Sequence, residues 1–226
     1  MILVGLKQPI NIIMVQITPL FGKLKATYSH VLRSDFPFLI YFSSAGVQYI
    51  LDTVVDELVA DENKKFVYVE MSFFQRWYFE QNQIRRTQVK KLVANGQLSF
   101  ANGGWVMHDE ASTHYTSMID QSTLGHRFLV DEFGYTPTVG WQIDPFGHSN
   151  THAWMSAEMG FDGLYFARID YQDKLKRTNE KRLEFVWRGS QSMPSCEVFT
   201  GVFTTGNLYG PPDGKLNSHS LVLVST

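Results

Sequence analysis

Residues 97–114 read QLSFANGGWVMHDEASTH. The first part is a candidate strand, and Gly103-Gly104 opens a loop behind it, because glycine weakens any strand or helix that contains it. An acidic pair, Asp109 and Glu110, then stands between two histidines, His108 and His114. Charges are costly to place near a core. The stretch is therefore either an ordinary polar turn or the rim of a site, and its flanks decide which.

Upstream, Val47, Ile50, Leu51, Val54, Val55, Leu58 and Val59 recur at helical spacing behind a Ser44 cap. KFVYVEM (65–71) reads as a short buried strand, and QIRRTQVKKLVANG (83–96) as a helix with a basic outer face, stopped by Asn95-Gly96. Downstream, 112–133 reads as a long helix ending at Gly134, 138–143 as a strand, and 150–160 as a helix with a glycine stop. GLYFARI (163–169), LEFVWRG (183–189) and EVFTGVF (197–203) are further strand candidates. Strands alternating with helices predict an α/β fold whose mainly parallel sheet is joined by crossover helices. The four strands near 66–70, 98–101, 138–143 and 163–168 are expected to share that sheet. Residues 1–43 lack this periodicity, and they and residues 213–226 are expected to pack less well than the middle.

In parallel sheets, chemistry gathers beyond the carboxyl ends of the strands. Glu70 follows the first strand, Asp109 and Glu110 the second, Asp144 and His148 the third, and Arg168, Asp170 and Asp173 the fourth. Acidic and basic side chains thus fall on the edge where a site belongs, and Gly103-Gly104 lets the chain turn across it.

Each candidate has two readings. Asp109 is either a cap on the following helix or a functional carboxylate. His108 and His114 lie six apart, not the four that puts two ligands on one helical face. Asp144 precedes a proline and starts a turn, and its claim rests on the company of His148 and Asp109. Arg168, Tyr171 and Asp173 line a sugar subsite or form a solvated loop. Trp77, Trp105, Trp141 and Trp154 are expected in the core, and Cys196 as a buried, inert thiol.

Composition narrows the classes. With 226 residues, 44% of them hydrophobic, the chain can build a core, and its formal charge of −2 gives no reason to expect nucleic acid or an anionic membrane as partner. The one cysteine, Cys196, allows no internal disulfide. No run is long and apolar enough to span a membrane. The apolar start, MILVGLKQPINIIMVQITPLFG, is broken by Lys7, Pro9 and Pro19 and does not read as a signal peptide.

FANGGWVMHDEASTHY (100–115), WQIDPFGHS (141–149) and MGFDGLYFARIDYQDK (159–174) together resemble the α-mannosidases of glycoside hydrolase family 38, of the lysosomal (acidic) type. AGVQYILDTVVDELVAD (45–61), KFVYVEMSFFQRW (65–77) and FTGV (199–202) resemble the same branch. The resemblance implies part of a seven-stranded α/β catalytic domain of the glycoside hydrolase/deacetylase type. It also implies a zinc-dependent retaining exo-glycosidase, of lysosomal location, that removes α-linked mannose from N-glycan-type oligosaccharides. By resemblance Asp109 is both nucleophile and zinc ligand, with Asp144, His148, Arg168 and Tyr171 binding substrate or supporting the site.

The chain departs from the family in having no His-x-Asp zinc motif. The family's general acid and a further zinc histidine belong to sequence beyond this chain. The division expected is a divergent segment 1–43, a partial catalytic domain 44–212 and a divergent tail 213–226. The alternative function is a catalytically incomplete fragment or a non-catalytic remnant of such an enzyme. A sugar deacetylase on a related fold would need a complete His/Asp metal set, which the chain lacks.

Overall fold

The structure is a computed structural model that describes residues 12–14, 46–193 and 195–203. Two compact units divide the chain: one holds the described residues up to 68 and residues 73–99, the other residues 69–72 and 100–203. Most of 1–43, the Ser44 cap and all of 213–226 lie outside the described residues.

In the first unit, helix α1 (Val47–Ala60) turns Leu51, Val54, Val55 and Leu58 inward. Strand β2 (Lys65–Tyr68) has β1 (Ile12–Met14) on one side, in parallel, and β3 (Leu98–Phe100) on the other. Helix α2 (Met71–Glu80) brings Phe74, Trp77 and Tyr78 into the core, where the Phe74 ring centroid lies 5.7 Å from that of Tyr68. Burying each such side chain stabilises the unit by about 1.5–3 kcal/mol. Helix α3 (Gln83–Ala94) starts on an Asn82 cap, whose side chain accepts from the Arg85 N–H at 2.9 Å, and stops at Asn95 with Gly96 at φ 74°. Gln97 is buried because its Nε2 caps the end of α1, donating to the carbonyls of Leu58 at 2.8 Å and Asp61 at 3.1 Å.

In the second unit, helix α4 (Tyr115–Phe133) ends at Gly134, φ 61°, with the Tyr135 N–H reaching the Leu129 carbonyl at 3.2 Å. Strands β4 (Val139–Gln142), β5 (Gly163–Phe166), β6 (Glu184–Arg188) and β7 (Glu197–Val202) form a sheet in the order β4-β5-β7-β6. Pairs β4–β5 and β5–β7 are parallel, and β6 runs antiparallel to β7. Helix α5 (Asn150–Glu158) buries Ala153 against the sheet residues Leu164, Phe166 and Val198. Helix α6 (Tyr171–Asn179) lies outside that core, with no buried residue.

The mixed α/β fold with parallel pairing agrees with the alternation of the sequence. The single sheet expected for the four strands is corrected: β2 and β3 belong to a three-stranded sheet and β4 and β5 to a four-stranded one. Asn102, not a strand, reaches the edge of β4. Its N–H donates to the Val139 carbonyl at 2.8 Å, its Oδ1 accepts from the Trp141 N–H at 2.5 Å, and its Nδ2 meets the Trp141 carbonyl.

The glycines of the opening stretch have a packing reason. Gly103 has φ 70°, where L side chains are strained. Helix α4 closes on this turn through Gly125, where a Cβ would stand 2.1 Å from the Gly103 carbonyl oxygen. The Gln121 carbonyl and Oε1 then receive the N–H groups of Trp105 and Val106, each at 3.0 Å.

Candidate active site

The segment after β3 makes a tight polar turn. Asp109 is exposed; its Oδ1 accepts from the Ala111 N–H at 3.1 Å and its Oδ2 from the Ser112 hydroxyl at 2.5 Å. The Ser112 hydroxyl and the Ala111 N–H hold this carboxyl below the usual aspartate range. The Asp109 carbonyl is bonded by Thr113 Oγ1 at 2.5 Å and by His108 Nδ1 at 2.9 Å. Asp109 therefore stiffens its own turn and does not cap α4. That helix starts at Tyr115 rather than 112, because the hydroxyls of Ser112 and Thr113 are spent on Asp109 and His114 takes the cap.

Glu110 points the other way and is buried. Its Oε2 meets His148 Nδ1 at 2.7 Å and its Oε1 accepts from the Ser149 N–H at 3.2 Å. His148 Nε2 meets the Arg168 carbonyl at 2.9 Å, and its ring stacks on Phe166 at 4.1 Å between centroids. Both ring nitrogens are thus engaged, one by the Glu110 carboxyl and one by the Arg168 carbonyl. Burial opposes charge on Glu110, but the His148 hydrogen bond, the electrostatic influence of the His152 and His148 rings and the Ser149 N–H outweigh it and carry the carboxyl below its ordinary value. Arg168 Nη2 in turn holds Asp144 Oδ1 at 2.9 Å.

The expected residues thus sort into one network and one outlier. Asp144, Arg168, His148 and Glu110 follow one another in direct contact, and Asp109 is the next residue along the chain. They come from the segments after β3, β4 and β5. Tyr171, 75% exposed on the first turn of α6, is not joined to them. Asp170 caps α6, accepting from the N–H groups of Gln172 and Asp173, and Asp173 pairs with Arg177 at 2.8 Å. An open cleft of about 640 Å³ lies beside the network, with Phe146, His148, Arg168, Asp170, Arg177 and Trp187 in its lining. Aromatic faces and paired charges of this kind suit a hydroxylated ligand.

Three further groups stand near the network, of which the sequence pointed only to Glu70, as the acidic residue after the first strand. Glu70 is buried, accepts from the Met107 N–H at 3.2 Å, and is pushed up to about 7 by burial, with the Asp144 charge adding to the rise. His152 is pushed down to about 4 by burial, and its ring meets His108 edge-on at 4.8 Å. Gln142, fully buried, donates to the His108 carbonyl at 3.2 Å. Glu70 and His152 were legible only as an acidic residue after a strand and a polar residue on an apolar helix. Trp77 is in the core as expected, while Trp105, Trp141 and Trp154 are half-buried. Cys196 is half-buried rather than buried; its thiol donates to Glu158 Oε1 at 2.6 Å, which raises its pKa.

The residues do not by themselves fit zinc. Among the described residues no group of three or more His, Cys, Asp or Glu side chains is arranged to hold a metal ion. Asp109 offers one carboxylate, and both its oxygens already accept hydrogen bonds. Zinc takes three or four N, O or S ligands.

The sequence profile of the glycosyl hydrolases family 38 N-terminal domain matches residues 30–224. An α-mannosidase of Arabidopsis thaliana is 58% identical over 172 residues, which cover 75% of this chain and 17% of that protein. The lysosomal α-mannosidase of Cavia porcellus is 55% identical over 174 residues, 75% of this chain and 17% of its own length. The lysosomal α-mannosidase of Homo sapiens is 53% identical over 172 residues, 74% and 17% respectively. The chain therefore spans about a sixth of the relatives it matches. Among solved structures, an α-mannosidase from Enterococcus faecalis V583 superposes with a TM-score of 0.53 at 18% identity, covering 70% of this chain and 17% of that one. A 4-α-glucanotransferase from Thermococcus litoralis reaches 0.52 at 13% identity, covering 68% and 23%. At those identities the likeness is one of fold. With an N-terminal-domain match over most of its length and relatives above half identity, the chain belongs to glycosyl hydrolase family 38.

Proposed function

We propose that this chain is part of the catalytic domain of a retaining exo-α-mannosidase, of lysosomal location, acting on terminal α-linked mannose of N-glycan-type oligosaccharides. Residues 44–212 would be the catalytic portion. One observation carries the reading: of the adjacent carboxylates Asp109 and Glu110, Glu110 is buried and fully bonded, while Asp109 is exposed and held ionised on a stiff turn. An ionised, fixed and accessible carboxylate is what a glycosidase nucleophile needs.

In this reading an Asp109 oxygen attacks the anomeric carbon. The bond to the leaving oxygen breaks, and that oxygen takes a proton from a second carboxyl about 5–5.5 Å from the nucleophile. Water then hydrolyses the glycosyl ester and returns Asp109. No described residue is assigned the proton donor. Asp144, His148 and Arg168 support the site, and exposed Tyr171 remains the candidate for sugar contact. By family, Asp109 would also contribute one carboxylate to a zinc site whose other ligands are not among the described residues.

The test is a graft in which the matched segment of the Arabidopsis thaliana α-mannosidase is replaced by its counterpart from this chain. The graft should hydrolyse an aryl α-mannoside at acidic pH, and Asp109→Asn should lower turnover by about 10³-fold or more. Undiminished turnover in the Asp109→Asn graft would refute the assignment.

A further inference from the structure

The Glu110–His148 pair has no way to touch a substrate through Glu110, which is 5% exposed with both carboxylate oxygens bonded. Yet it occupies the position next to Asp109 and bridges three segments. Glu110 belongs to the turn after β3, His148 and Ser149 to the segment after β4, and the Arg168 carbonyl to the segment after β5. The Asp109 carbonyl is held locally by Thr113 and His108, and its carboxylate locally by Ala111 and Ser112. All four of those partners lie within four residues of Asp109, so they stiffen the turn without fixing where it stands. Longer reaches hold the turn on both sides of Asp109: before it, Met107 to Glu70 and His108 to Gln142; after it, Glu110, 38 residues along the chain, to His148.

We propose that Glu110 and His148 are positioning residues for Asp109: they anchor its turn to the segments after β4 and β5, so that the exposed carboxylate is held in one place. This rests on the reading of Asp109 as the functional carboxylate. The anchor is directional. His148 meets Glu110 through Nδ1 and the Arg168 carbonyl through Nε2, and a side chain that cannot reach both releases one strap. Displacement of a reacting group by about 1 Å can cost about 10²-fold in rate. Loss of the anchor should therefore reduce kcat and leave KM nearly alone, because Glu110 makes no contact that would hold the sugar.

Two measurements separate the anchor from the function it serves. In the full 226-residue chain, hydrogen exchange is compared for His148→Leu, His148→Asn and Glu110→Gln. His148→Leu should speed exchange across 106–114 by about tenfold or more, with strands β4 and β5 unchanged. His148→Asn, which keeps a donor for Glu110, should retain most of the protection. Should the leucine variant fail to fold, Glu110→Gln carries the same comparison, keeping the acceptor for Ser149 and losing the charge. Unchanged exchange across 106–114 in the folded variants would overturn the anchor. In the graft, His148→Leu and Glu110→Gln should lower kcat by about 10²-fold, with KM within about threefold for Glu110→Gln, since His148 also lines the cleft, and His148→Asn should recover part of the loss. A loosened turn with unchanged kcat would overturn positioning while leaving Asp109's own role intact. A graft inactive even with Asp109, His148 and Glu110 in place would overturn the mannosidase reading and the positioning role with it, whatever the exchange shows.

Discussion

Glu70 gives a stability prediction whose sign and size follow from its surroundings. Burial raises its carboxyl from 4.5 to about 7, with the Asp144 charge adding to the effect and the Met107 N–H opposing it. A carboxyl with a raised folded value favours the fold while it is protonated. That advantage is complete below the unfolded value and is lost as pH rises through the folded one. At about 1.36 kcal/mol per pH unit, the full difference is about 3 kcal/mol. Between pH 5 and pH 8 most of it, about 2–3 kcal/mol, is expressed. A Glu70→Gln side chain would still accept from Met107 but would not ionise. The assay is urea unfolding of wild type and Glu70→Gln at both pH values. It is followed by tryptophan fluorescence, since Trp105, Trp141, Trp154 and Trp187 all lie in the unit that contains Glu70. The stability of wild type relative to Glu70→Gln should fall by about 2–3 kcal/mol from pH 5 to pH 8. A difference independent of pH would refute the buried, protonated carboxyl.

Other changes have equally definite outcomes. Gly125→Ala should destabilise the chain by about 2 kcal/mol or more in urea unfolding, although alanine is the better helix former, because its Cβ would meet the Gly103 carbonyl oxygen at 2.1 Å. Asn102→Ala should cost about 2–4 kcal/mol by the same measurement, since it removes two side-chain hydrogen bonds to Trp141 and leaves alanine at φ 54°. The purified 226-residue chain should not retain stoichiometric zinc after dialysis, judged by metal analysis, because Asp109 alone does not make a site.

The alternation of strands and helices was legible because apolar periodicity switches visibly between β2, α3, β3 and α4. Two helices were not. Helix α2, MSFFQRWYFE, is rich in aromatics that favour strands, and it is helical because Phe74, Trp77 and Tyr78 pack on one face. Helix α6 buries nothing, so it has no apolar stripe to read. Its signal lay in Asp170 as cap and in the Asp173–Arg177 spacing of four. The division of strands between two sheets was hidden because Asn102 meets β4 through its side chain, which no strand pattern encodes. At the site, the polar residues after each strand were readable, but the opposite directions of Asp109 and Glu110 were not. Adjacent carboxylates look alike until a distant partner, here His148, draws one of them inside.

The buried groups behind the site also bear on the acidic setting proposed for the protein. His152 is pushed from 6.5 down to about 4 by burial. Its effect on stability is therefore present above its unfolded value and is lost as pH falls toward the folded one. From pH 8 to pH 5 that loss is about 2 kcal/mol, while Glu70 over the same interval gains about 2–3 kcal/mol. The charges that act on Glu70 and on His152 are different ones, so the two effects should add. Over this range the two contributions oppose one another. Relative to wild type, His152→Leu should therefore gain stability as pH falls, Glu70→Gln should lose it, and the double variant should tilt less than either single one. A double variant that tilts as steeply as either single one would mean that the two groups do not titrate independently, and the compensation would fail.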